Sequence, residues 1–97
     1  MLEKDFQRNV INMMKRDFPD LWFFKVSDRF MGGIPDIIGC CRGRMFGIEL
    51  KVSPNKTTKL QDFTIDLMRK AGARVAVVSD DVDKARLFLL SLYRGEE

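Results

Sequence analysis

Asp36, Glu49 and Lys51 are the residues whose types and spacing could do chemistry together. On an extended strand, residues two apart point to the same side, about 6.6 Å apart along the axis. Glu49 and Lys51 therefore present a carboxylate and an ammonium on one face, opposite Phe46, Ile48 and Leu50. Taken alone, Glu-x-Lys reads as an exposed ion pair on the wet side of a hairpin, an arrangement worth little energetically. The run Gly32-Gly33-Ile34-Pro35-Asp36 alters that reading. Proline stiffens the approach to a second carboxylate at the start of the neighbouring strand, where a partner for Glu49 is needed. Asp36 and Glu49 would then supply hard oxygen ligands to Mg²⁺ or Mn²⁺, with the Leu50 backbone carbonyl as a third and a phosphate oxygen and waters completing the shell. Without Glu49, Asp36 would read as a turn residue accepting from a nearby amide.

Other chemistries are excluded by composition. The 97 residues contain no histidine, so there is no Ser-His-Asp or Cys-His triad and no histidine-based zinc site. Hydrolysis here has to rest on carboxylates and lysine, with or without an oxygen-ligated cation. Cys40 and Cys41 are adjacent in an apolar run, a spacing unsuited to a zinc knuckle or an ordinary disulfide, and both are expected to be buried thiols. The net charge of +3 is compatible with a polyanionic partner without selecting one, and a bound divalent cation would raise the balance to about +5.

The elements that must position these groups follow from periodicity. Leu2, Phe6, Val10, Met13, Met14 and Phe18 recur at helical spacing up to Pro19. Leu21 to Ser27, with Trp22, Phe23, Phe24 and Val26, suits a strand. Asp36 to Cys41 predicts a second strand, and the turn Arg42-Gly43-Arg44 leads into a third, Met45 to Val52, with one core face and one wet face. Leu60, Phe63, Thr64, Leu67, Met68 and Ala71 predict a second helix with its apolar stripe in the core, stopped at Gly72. Arg74 to Ser79 is expected as a strand covered on both faces in parallel pairing. Asp80 or Asp81 then caps a last helix carrying Val82, Ala85, Leu89 and Leu92. The order αβββαβα describes an α/β domain with a mixed sheet, expected to occupy residues 1–97 as one unit. No stretch approaches the roughly 20 apolar residues of a membrane span. Glu3, Lys4, Asp5 and Arg8 stand where a secretion signal would be apolar, so a cytoplasmic location and no membrane partner are expected.

Gly33-Ile34-Pro35-Asp36, then Ile48-Glu49-Leu50-Lys51, then a helix entered through Lys59-Leu60-Gln61, resembles the PD-(D/E)XK nucleases, in particular the virus-type replication-repair nuclease (VRR-NUC) domain. The similarity runs from Glu3 to the hydrophobic strand after Gly72; it departs at Asn55-Lys56, where relatives often show a glycine. The resemblance implies a restriction-endonuclease-like core and divalent-metal-dependent hydrolysis of DNA phosphodiester bonds, in the cytoplasm of a bacterial or phage-infected cell. Asp36 and Glu49 would hold the metal, and Lys51 would orient or deprotonate the attacking water. It also implies a site role for Glu3, direct or through a water, and for Gln61. Each has an ordinary alternative: Glu3 as a favourable first-turn acid, and Gln61 as the far end of a capping box begun by Thr58. Arg29, Arg42, Arg44, Lys56 and Lys59 fall in loops or at element ends near the expected site and are candidate phosphate contacts. Similarity to stand-alone relatives further implies a homodimer acting on branched DNA such as four-way junctions. The competing readings are a non-catalytic nucleic-acid-binding module on the same fold, and a protein-interaction domain that responds to neither metal nor DNA.

Overall fold

In a computed structural model describing residues 1–27 and 32–96, the first helix, α1, spans Glu3–Asp17. It turns Phe6, Val10, Met13 and Met14 inward, and its charges run with the helix dipole, Glu3 and Asp5 in the first turn and Lys15 and Arg16 in the last. Strands β1 (Trp22–Lys25), β2 (Ile37–Cys41) and β3 (Arg44–Lys51) follow, then α2 (Lys59–Lys70), β4 (Arg74–Ser79) and α3 (Val82–Tyr93). The element order is the expected one. The strands are shorter than expected at several ends, and Asp36 lies one residue ahead of β2. Asp81, rather than Asp80, caps α3 by accepting from the Asp83 amide at 2.9 Å.

The sheet is mixed, in the order β1-β2-β3-β4. β2 pairs antiparallel with both β1 and β3, and β3 pairs parallel with β4, placing Glu49 beside Val77 and Lys51 beside Ser79. Arg42 and Gly43 both adopt positive φ, 51° and 82°, as a two-residue turn matched to the twist of the β2–β3 hairpin requires. On one face of the sheet Phe6, Val10, Met13 and Met14 of α1 and Ala85, Leu89 and Leu92 of α3 pack with Ile37, Phe46, Ile48 and Leu50. Each large side chain buried there contributes about 1.5–3 kcal/mol. A smaller cluster of Ile65, Ala73 and Val75, with Met68 against it, lies under α2.

Four expectations need correction. The wet face expected of β3 is lost over its middle: Phe46 to Leu50 are all buried, because the strand is central and Pro35 and Met68 close over Gly47 on the second side, while Met45 stays exposed. The predicted α2 stripe is core only in part: Thr64 is buried and Met68 packs inward, but Leu60, Phe63 and Leu67 are 53%, 60% and 50% exposed. The helix instead turns Gln61, Ile65 and Met68, spaced i, i+4, i+7, towards the sheet, because Gln61 reaches a buried carboxylate there. β4 is parallel as expected but covered only in part; α2 reaches Val75 and leaves Val77 exposed. Of the two cysteines, Cys41 is buried and Cys40 exposed, as the two-residue period of a strand dictates for neighbours.

Candidate metal centre

The route to the site begins at Gly33, which has a φ of +85°. A Cβ there would stand 2.5 Å from Thr64 Oγ1 and 2.7 Å from the Leu60 carbonyl, so the loop backbone lies directly on the first turns of α2. Pro35, buried against Gly47, delivers Asp36 to the end of β2. The Asp36 carbonyl accepts from Val26 N at 2.8 Å, and its side chain, 3% exposed, accepts from the Leu50 amide at 2.8 Å through Oδ2. The N–H and C=O of one strand residue point to the same edge. The Leu50 carbonyl therefore faces the Asp36 side, whereas the Lys51 carbonyl faces β4 and accepts from Asp80 N at 3.1 Å.

Glu49 is 2% exposed. Its Oε2 accepts from Lys51 Nζ at 3.2 Å and from Gln61 Nε2 at 2.8 Å. Its Oε1 is buried and has no hydrogen-bond partner among the described residues. Burial, and after it the charge of Asp36, push the Glu49 carboxyl up to about 7, against the opposing pull of Lys51. The structure thus brings Asp36, Glu49, Lys51 and Gln61 together. Gln61 satisfies both of its expected readings: Oε1 accepts from Thr58 N at 2.9 Å, the Gln61 amide donates to Thr58 Oγ1 at 3.1 Å, and Nε2 remains for Glu49.

Glu3 does not reach them directly. It is exposed in the first turn of α1, and among the described residues no three Asp, Glu, Cys or His side chains gather as a metal site. On the same helix Gln7 is buried at 8% exposure, a polar residue in line with Val10 and Met14 at helical spacing. Arg44 lies at the far end of β3, five residues and about 17 Å along the strand from Glu49, and Arg42 lies in the turn before it. A hairpin necessarily puts its turn at the opposite end from the start of β2. There Arg42 donates to the Tyr93 carbonyl at 3.1 Å and lies over its ring, and Arg44 donates to Gly72 O at 2.9 Å. Lys56 and Lys59 are exposed on the approach to α2, at the Gln61 end. Arg29 lies outside the described residues.

The backbone of a solved structure described as a VRR_NUC domain is similar to that of this chain, with a TM-score of 0.66. The chain has the VRR_NUC fold. The likeness covers 86% of this chain and 92% of that one at 23% sequence identity. No family model and no curated protein matches the sequence. The VRR_NUC likeness is therefore one of architecture, and what this chain's site can do rests on its own side chains. Those are two buried carboxylates, a strand carbonyl on the same edge, and a lysine and an amide on a single carboxylate oxygen.

Proposed function

We propose that this chain is a nuclease that uses a divalent cation to hydrolyse DNA phosphodiester bonds, an endonuclease acting as a homodimer on branched or junction DNA. The observation that carries the reading is the closeness of Asp36 to Glu49 at the Leu50 end of β3, with Glu49 Oε1 buried and without a hydrogen-bond partner among the described residues. A buried carboxylate oxygen left unpaired is costly. Lys51 and Gln61 both take Oε2, which leaves Oε1 as the oxygen for a cation. Asp36, Glu49 and the Leu50 carbonyl are an all-oxygen donor set, the kind Mg²⁺ or Mn²⁺ takes. Bound there, such a cation supplies Lewis acidity towards a phosphate and lowers the pKa of water.

The remaining chemistry belongs to the side chains. Glu49 must lose its proton to act as a ligand, and the Lys51 ammonium 3.2 Å away favours that loss. Lys51 then orients the attacking water and offsets negative charge gathering on the phosphate. Gln61 fixes the rotamer of Glu49 so that Oε1 keeps its direction. Lys56 and Lys59, exposed at the same end, are suited to flanking phosphates. Exposed Trp22 and Phe24, in edge-to-face contact on the sheet edge, support pairing of two copies.

The test is cleavage of labelled four-way-junction, duplex and single-stranded DNA by wild type and Lys51→Ala, with Mg²⁺, Mn²⁺ or EDTA. Metal-dependent cutting that is lost in the variant is expected, with the junction cut fastest. Folded wild type that binds DNA without cutting it would make the chain a binding module instead.

A further inference from the structure

We infer that Asp80 is a positioning residue for Lys51, acting through the backbone where β3 ends; its catalytic consequence rests on the nuclease reading above. β4 stops at Ser79, and Asp80 turns the chain with a φ of 64°, in the left-handed region that few residues other than glycine enter and that Asp enters more readily than most. From there it makes three hydrogen bonds to the end of β3 and the residues just beyond it. Its amide donates to the Lys51 carbonyl at 3.1 Å. Its Oδ1 accepts from the Ser53 amide at 2.9 Å, and its Oδ2 accepts from the Ser53 hydroxyl.

The sheet register ends at Lys51 and Ser79. Beyond that point parallel pairing would cease, and Lys51 would sit on a frayed strand end. The Asp80 side chain replaces the missing ladder for two more residues. What it holds is the stretch between the two groups on Glu49: Lys51 lies just before it, and the loop after Ser53 leads to Thr58 and Gln61. The Ser53 hydroxyl and amide also draw the Asp80 carboxyl below its usual range, which keeps it an acceptor.

Two variants separate geometry from folding. Asp80→Gly keeps the left-handed backbone and the amide that donates to Lys51, but removes both side-chain bonds. Asp80→Asn keeps an acceptor for the Ser53 amide, offers an NH₂ to the Ser53 oxygen, and tolerates the same φ. Metal-free crystal structures and steady-state kinetics would be measured for wild type and both variants. In the Asp80→Gly structure Lys51 Nζ is expected to leave Glu49 Oε2, with kcat lowered about tenfold and KM within about twofold; Asp80→Asn should keep both the contact and the rate. An Asp80→Gly protein that retains the Lys51–Glu49 contact, or an Asp80→Asn protein as impaired as Asp80→Gly, overturns the inference. Should wild type cut no nucleic acid, the nuclease reading fails, and the crystal structures alone decide whether Asp80 places Lys51.

Discussion

Gln61 donates to Glu49 Oε2 at 2.8 Å with the nitrogen of the same amide whose oxygen caps α2 at Thr58. One side chain therefore couples the start of a helix to the most buried carboxylate among the described residues, and the two duties can be separated by substitution. Thr58→Ala removes the hydroxyl that accepts from the Gln61 amide and should cost about 1 kcal/mol of stability, with cleavage unchanged below the melting temperature. Gln61→Ala should cost as much in stability and lower metal affinity or activity about ten- to a hundredfold. Paired thermal melts and cleavage rates distinguish the two.

The pH behaviour of Glu49 follows from its raised value. In the folded protein it titrates at about 7, against 4.5 for an ordinary glutamate, so between these the folded state holds a proton that the unfolded chain has released. Its contribution to stability is present in full below about pH 4.5 and is lost as pH rises through about 7. Chemical denaturation without metal should show this decline, and Glu49→Gln should remove its share of it. Metal binding requires the ionised form. Calorimetry should therefore find Mg²⁺ affinity rising with pH up to about 7 and levelling above, with a proton released on binding at lower pH.

Asp36 carries a structural bond and a charge on the same carboxyl. Asp36→Asn keeps an oxygen for the Leu50 amide, so its fold should lie within about 1 kcal/mol of wild type. Asp36→Ala leaves that buried amide unpaired and should cost about 1–3 kcal/mol. Wild type should melt higher as Mg²⁺ is added; both variants should lose that response.

Gly33→Ala places a Cβ 2.5 Å from Thr64 Oγ1 and 2.7 Å from a backbone carbonyl, at a φ of +85°. A loss of more than about 1 kcal/mol is expected, read as a lower urea midpoint at unchanged slope. The same change should lower activity, because the loop it displaces ends at Asp36.

The element order, the β2–β3 hairpin and the two acids that meet beside Leu50 were legible because they are local signals. Alternation at Phe46, Ile48 and Leu50 marks a strand wherever it sits, and Pro35 stiffens the approach to Asp36 in any fold. The misread parts share a different cause. Leu60, Phe63 and Leu67 have the spacing of a core stripe, but spacing cannot say towards what a helix is turned; here the polar contact of Gln61 with Glu49 sets the rotation and leaves those three outside. Arg42 and Arg44 are near Glu49 in number and far from it along β3.

The sequence by itself determined which residues could act as acids, base and ligands, since residue type, turn chemistry and periodicity are properties of short stretches of chain. Only the tertiary structure decided that Glu49 is buried beside Asp36, that Gln61 bonds it while Glu3 stays exposed, and that Asp80 bonds the chain where β3 ends at Lys51. Burial and the mutual perturbation of charges depend on elements distant in sequence closing on one another, and no local pattern encodes that closure.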